Sequence, residues 1–233
     1  MIKLEYLSIQ NKTIYGDISN LRNCINLLNL RLYDSSVSGN IASLASCTSL
    51  QALVVNITNL ENIQFGIWKG LGHCTITGDI ANLFNLTNLE DFNGGYSDIY
   101  GDISVFKNLI NFKQLMCHGT KLSGNLLSFK NHPSIEVIGL AEINTISGDI
   151  SSLSTCYKTL NYFANSDNPN VSGDISSLRN CTSLKTLTVN KSRSTLTGTS
   201  EQTWNGLYSQ HMSILDLFTM FMVILVHLKI VLN

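Results

Sequence analysis

The stretch VSGDISSLRNCTSLKTLTV, residues 171–189, decides the fold, because its parts keep returning. Near-copies of its first half stand at 14–24 (IYGDISNLRNC), 37–47 (VSGNIASLASC), 76–86 (ITGDIANLFNL), 99–109 (IYGDISVFKNL) and 146–156 (ISGDISSLSTC). The glycines that centre the blocks are Gly16, Gly39, Gly78, Gly101, Gly124, Gly148, Gly173 and Gly198, spaced 23, 39, 23, 23, 24, 25 and 25 residues apart. An apolar residue precedes each Gly by two places, and a Tyr, Ser or Thr by one. Two places after the Gly come Ile18, Ile41, Ile80, Ile103, Leu126, Ile150 and Ile175; five places after it come Leu21, Leu44, Leu83, Phe106, Phe129, Leu153 and Leu178. The eighth block, with Ser200 and Thr203, loses this register.

About eleven residues after each Gly comes L-x-x-L-x-L, as in Leu27, Leu30, Leu32 or Leu184, Leu187, Val189. Others start at Leu4, Leu50, Leu89, Phe112, Ile135 and Leu160, and Met212, Leu215 and Leu217 fit a last one. The closing L-x-L alternates with period two, the pattern of a strand with one face buried. Strands so far apart cannot pair as hairpins. Each turn must circle back and lay its strand parallel to the last, so that stacking supplies a core no single coil can build.

L-x-x-L-x-L followed by ISGDI or VSGNI resembles the leucine-rich repeat, closest to the plant-type form that reads L-S-G-x-I-P. The chain departs from that form: no Pro follows the Ile, and no dependable Asn follows the strand, although Asn11 and Asn165 fit loosely. The wording is also similar to repeat proteins of gut bacteria and their phages. The resemblance implies a β-rich (α/β) solenoid, a right-handed arc with one parallel sheet and short 3-10, helical or irregular convex segments. It covers 1–217 as about eight or nine coils, with an insertion or degenerate coil near 56–75 and an apolar tail at 218–233.

In the repeating block, Gly permits a positive φ. Asp or Asn can hydrogen-bond amides just ahead, and Ile and Leu three apart plug the core. Five Asp (17, 79, 102, 149, 174) form one column with Asn40 and Asn125. Calcium takes about 6–8 oxygens, which one carboxylate per coil supplies poorly, so the column reads as capping. Cys24, Cys47, Cys156 and Cys181 share a slot that elsewhere holds Leu86, Leu109 or His132, which marks them as buried free thiols. A Cys24–Cys47 bridge between stacked coils is the lesser alternative. Cys74 and Cys117 fall outside that slot, and no C-x-x-C supports a metal or redox site.

The net charge is −1, from 15 basic and 16 acidic residues, with no basic stripe for nucleic acid. Catalytic and nucleotide-binding motifs such as H-E-x-x-H, G-x-S-x-G and the Walker loop are missing, so neither an enzyme nor a cofactor is expected. No apolar leader with a small-residue cleavage site opens the chain. It begins inside a repeat, which points to a larger chain or assembly. The uncharged run 217–228 is 12 residues, short of the roughly 20 a membrane span needs. The tail reads as a cap on the last coil, a membrane segment or a shifted reading frame.

Core slots are committed to stacking and the Gly-Asp-Ile wording is nearly constant, so the changing outward strand positions are where selectivity can lie. The expected contacts are Tyr6, Arg31, Tyr33, Asp91, His118 and Tyr162, with Trp68 in the 16-residue excursion as a side anchor. The function expected is a non-catalytic module that binds a protein or glycan on its strand-lined face. By resemblance, its setting is a cell surface or a virion. The competing reading is a spacer in a longer repeat protein with no ligand of its own.

Overall fold

A computed structural model describes residues 3–55, 74–188 and 195–198 of the chain. Eight strands form the first parallel sheet: β1 (Tyr6–Gln10), β3 (Asn29–Tyr33), β5 (Ala52–Val54), β7 (Asp91–Asn93), β9 (Gln114–Met116), β11 (Val137–Gly139), β13 (Tyr162–Ala164) and β15 (Thr186–Thr188). Each grows from an L-x-x-L-x-L segment. The ninth such segment, Met212–Leu217, lies outside the described residues, as do Trp68 and the tail 218–233.

The expected single sheet is corrected to two. A second eight-stranded parallel sheet contains β2 (Tyr15–Asp17), β4 (Ser36–Asn40), β6 (Thr75–Asp79), β8 (Asp98–Asp102), β10 (Lys121–Asn125), β12 (Ile146–Asp149), β14 (Val171–Asp174) and β16 (Thr195–Thr197). These strands are the Gly-centred blocks, where only short 3-10, helical or irregular convex segments were expected. Any extended segment recurring at strand spacing can pair with its copy in the next coil. The alternation was present: Ile76, Ile99, Leu122, Ile146 and Val171, two before Gly, are buried. The hydroxyl residue one before Gly faces the other way. Ser38, Ser123 and Ser147 each donate to the carbonyl of a Gly one coil earlier, at 3.3 Å.

After each Gly-Asp the chain enters a short 3-10 segment, such as Ile18–Leu21, Ile80–Leu83 or Ile175–Leu178. With three residues per turn, positions i and i+3 eclipse. Ile80 and Leu83 therefore both enter the core, as do Ile103 and Phe106. All seven Asp or Asn residues of the column cap these segments, each accepting from the amide two residues on at 2.7–2.9 Å. The amide bond from Ser19 holds the Asp17 carboxyl below its usual value.

The glycine column seats these caps. A Cβ on Gly101 would stand 2.2 Å from Asp79 Oδ1 and 2.9 Å from Ile80 Cγ1, and the backbone there has φ +118. Only in the first coil, at Gly16, does a Cβ meet nothing within 4 Å.

The core is continuous from Ile18 to Leu184. It is thickest in aromatics near its middle, where Phe106 and Phe112 stack at 4.4 Å and Phe92 lies 5.7 Å from Phe106. All six cysteines are buried and free, including the pair Cys24 and Cys47. Cys47 and Cys156 donate to the Leu21 and Phe129 carbonyls of the preceding coil at 3.4 and 3.1 Å. His132, in the same slot, lies 3.3 Å from the Phe106 carbonyl. The slot thus accepts either an apolar side chain or a compact one that can reach that carbonyl. Burial, then the neighbouring Cys24, pushes the Cys47 thiol up to about 11, which keeps it unreactive.

Across the 39-residue spacing β5 pairs with β7 and β4 with β6; the insertion or degenerate coil expected near 56–75 falls almost wholly outside the described residues. Asn165 takes the last L-x-x-L-x-L position of its coil and is fully buried. Asn168 satisfies its oxygen only: it donates to Asn165 Oδ1 at 2.7 Å and accepts from the Ile143 amide at 2.6 Å, while Asn165 Nδ2 has no partner among the described residues.

Candidate functional site

The outward side chains of the first sheet form rows fixed by register. One row runs Tyr6, Asn29, Ala52, Asp91, Gln114, Val137, Tyr162 and Thr186; the next runs Ser8, Arg31, Val54, Asn93, Met116, Gly139, Ala164 and Thr188. Not every outward residue is accessible. Val54, Met116 and Ala164 are buried at 4%, 3% and 1% exposure. Strands about 4.8 Å apart let a long side chain lie over a small neighbour. Met116 and His118 do this at Gly139, where a Cβ would stand 2.5 Å from Met116 Sδ and 2.9 Å from His118 Nε2.

Three of the sequence-derived residues, Tyr6, Arg31 and Tyr33, stand on the first two strands of this sheet. Tyr6, 66% exposed, and Arg31 line a shallow depression of about 250 Å³ with Leu7, Ser8 and Asn29. Arg31 Nε donates to Asn29 Oδ1 at 2.7 Å and its Nη1 to the Tyr33 hydroxyl at 3.1 Å, which fixes the guanidinium on the sheet. Across Ala52 and Val54 it acts electrostatically on Asp91. His118 follows β9 and Tyr162 sits on β13, further along the sheet.

Asp91 and Tyr162 share a property. Asp91 Oδ1 and the Tyr162 hydroxyl are shielded from solvent and have no hydrogen-bond partner among the described residues. Burial pushes the Asp91 carboxyl up to about 6, while Arg31 and a hydrogen bond from Gln114 pull it down. Burial likewise pushes Tyr162 up to about 12. His118 Nδ1 accepts from the Ala141 amide at 3.1 Å, which puts the proton of the neutral ring on Nε2. Burial pushes this imidazole down to about 4.

Asp91 and His118 act oppositely on stability. The folded carboxyl value, about 6, lies above the unfolded one, so protonated Asp91 favours the fold. That contribution is present at low pH and is lost as pH rises between about 4 and 6. The folded value of His118, about 4, lies below the unfolded one near 6.5. Its contribution is therefore full above about pH 6.5 and is lost as pH falls toward 4. The two slopes nearly cancel in wild type. Asp91→Asn should raise stability at pH 7.5 by on the order of 2 kcal/mol and expose the loss toward acid due to His118. Urea unfolding between pH 4 and 8 measures both; an unchanged midpoint at pH 7.5 contradicts the assignment.

Tyr96 was not singled out in the sequence. It follows Gly94 and Gly95 at φ +56, where the chain leaves β7. Its ring lies against Gly119 of the next coil and its hydroxyl donates to Glu142 Oε1 at 3.2 Å, two coils on. The available signal was Gly119, which frees the space the ring occupies. Among the described residues no cluster of His, Cys, Asp or Glu could hold a metal ion, and no helix is long and apolar enough to cross a membrane.

No protein-family model and no curated protein sequence matches the chain. Solved structures do. The Arabidopsis receptor kinase HAESA, in complex with the peptide hormone IDA and the co-receptor SERK1, matches with a TM-score of 0.64 and 24% identity, over 84% of this chain and 30% of that one. The plant peptide hormone receptor RGFR1, in complex with RGF2, matches with a TM-score of 0.57 and 20% identity, over 84% of this chain and 33% of that one. Internalin C2 from Listeria monocytogenes matches with a TM-score of 0.54 and 21% identity, over 82% of this chain and 80% of that one. The fold is that of the leucine-rich-repeat proteins. The chain spans less than two thirds of either plant receptor.

Proposed function

We propose that the chain is a non-catalytic binding module that takes a peptide or protein segment on the outward face of its first sheet. Tyr6, Arg31, Tyr33, Asp91, His118 and Tyr162 are the contacts. The observation that carries this reading is the contrast between the two sheets. The rows of the first sheet change chemistry at nearly every coil, whereas the second repeats hydroxyl, Gly and Asp or Asn. A varied strip held on paired strands offers selectivity with little ordering cost. HAESA and RGFR1, which share the fold, are in complex with peptide hormones in their solved structures, which supports a peptide as ligand here. By the same reading the module works at a cell surface or on a virion.

The test is selection of binders from a random-peptide display library on the intact chain. Tyr33→Ala and Tyr162→Ala should each weaken a selected peptide by about 1 kcal/mol or more in calorimetry. Tyr15→Ala and Tyr100→Ala, exposed residues of the second sheet, should leave it unchanged. The reverse pattern puts the site on the wrong sheet. A glycan array that captures the chain while the peptide library yields nothing makes the ligand a sugar. Silence in both leaves the spacer reading.

A further inference from the structure

We propose that Asp91 is the specificity-determining residue of this face and that it takes the ammonium or guanidinium of a Lys or Arg side chain of the ligand. The inference rests on the binding reading above and names the chemistry it selects.

Asp91 stands in the middle of the row, directly opposite Ala52 on one side and Gln114 on the other. One carboxylate oxygen, Oδ1, is shielded and unpartnered among the described residues. A buried acceptor left unpaired costs stability, so a fold retains one at a loss unless something else satisfies it. The charged neighbour does not do so: Arg31 spends hydrogen bonds on Asn29 and Tyr33 instead. Ala52 has no side chain that could reach the carboxylate, and Asp91 as a residue is only partly buried, so a donor from outside can approach it. A cationic donor suits it better than a neutral one. It supplies the missing hydrogen bond and the missing countercharge together, and charge-assisted bonds are about twice as strong. The strand that carries Arg31 is two away from β7, roughly 10 Å at strand spacing. Water and salt weaken repulsion at that range much more than the direct contact at Asp91.

The surroundings make the contact sensitive to pH. Against Asp91, β5 brings Ala52 and Val54; β9 brings Gln114, with Cys117 and His118 beyond it; β3 brings Arg31 and Tyr33. Glu90, the preceding residue, is paired with Lys113 at 2.6 Å. Burial raises the Cys117 thiol to about 12 and lowers His118 to about 4, so both stay neutral at pH 5 to 7. The carboxyl of Asp91, at about 6, changes charge within that range. Only its ionised form attracts a cation.

The experiment selects a random dodecapeptide display library on wild type and on Asp91→Asn, then measures synthetic copies of the enriched peptides. Peptides enriched on wild type should carry Lys or Arg in excess over the library, and those from Asp91→Asn should not. A wild-type peptide should lose about tenfold in affinity from pH 7 to pH 5, following protonation of a group near 6. Asp91→Asn should bind it at least tenfold more weakly at pH 7, with no such pH dependence. Replacing the peptide's basic residue by norleucine leaves the protein untouched and should cost as much, with no further loss in Asp91→Asn. Enriched peptides without basic residues, or equal affinity in the variant, overturn the inference and leave the binding reading standing. A library that yields no binder overturns both.

Discussion

Ile103→Asp should unfold the array. Ile103 has no exposed surface and opens the 3-10 segment Ile103–Asn108 in a middle coil. Its slot is filled by Ile80 one coil before and Leu126 one coil after, both fully buried. A carboxylate placed there meets only apolar neighbours. An uncompensated buried charge costs about 3–5 kcal/mol, a large share of the roughly 5–15 kcal/mol that holds a domain together. In a stacked array each coil contacts only its neighbours, so a break there also strips the two halves of their shared interface. Loss of the cooperative thermal transition, followed by circular dichroism, is the expected result. Lys107→Asp, exposed in the same segment, should stay within about 0.5 kcal/mol of wild type. If Ile103→Asp melts as wild type does, the core slot is wrongly assigned.

Gly101→Ala should cost about 3 kcal/mol, although it adds one methyl group. A backbone φ of +118 is one L-residues rarely adopt, which alone costs of order 1–3 kcal/mol. The methyl also falls 2.2 Å from Asp79 Oδ1, so the Asp79 cap of the 3-10 segment one coil earlier must move. That cap is the 2.8 Å bond from the Ala81 amide, and loss of an N-cap typically costs about 1 kcal/mol. Gly16→Ala is the control, because nothing stands within 4 Å of its Cβ. Chemical denaturation of both variants should separate them clearly. Equal losses at the two positions would mean that conformational strain, and not the seat for Asp79, accounts for the glycine.

The core was legible because stacking repeats one demand in every coil. The slots of Ile103, Phe106 and Leu115 follow from position alone, and all three are buried. The second sheet was not legible, since Gly and Asp ordinarily signal turns and hide the alternation of Ile99, Tyr100 and Gly101. Only pairing with the neighbouring coils makes that segment a strand. Outward direction at Asp91, Arg31 and Tyr33 could be read from period two. Accessibility could not, because it depends on the residue one coil away. Met116 points outward yet is covered by its own contact with the Gly139 coil, a relation between residues 23 apart in sequence.

The seating of each Asp or Asn in the hollow of the following glycine gives the array a direction. A coil offers its carboxylate or amide forward and receives one from behind, and the two halves of this joint lie side by side in sequence as Gly-Asp or Gly-Asn. Duplication or deletion of one whole unit leaves every joint complete, since a new coil arrives with both parts. Extra length between joints leaves them intact too: across the 39-residue spacing Gly78 still seats Asn40. The molecule can therefore lengthen or shorten in its lineage by whole units at little structural cost, while the chemistry displayed on the first sheet is reshuffled with each event.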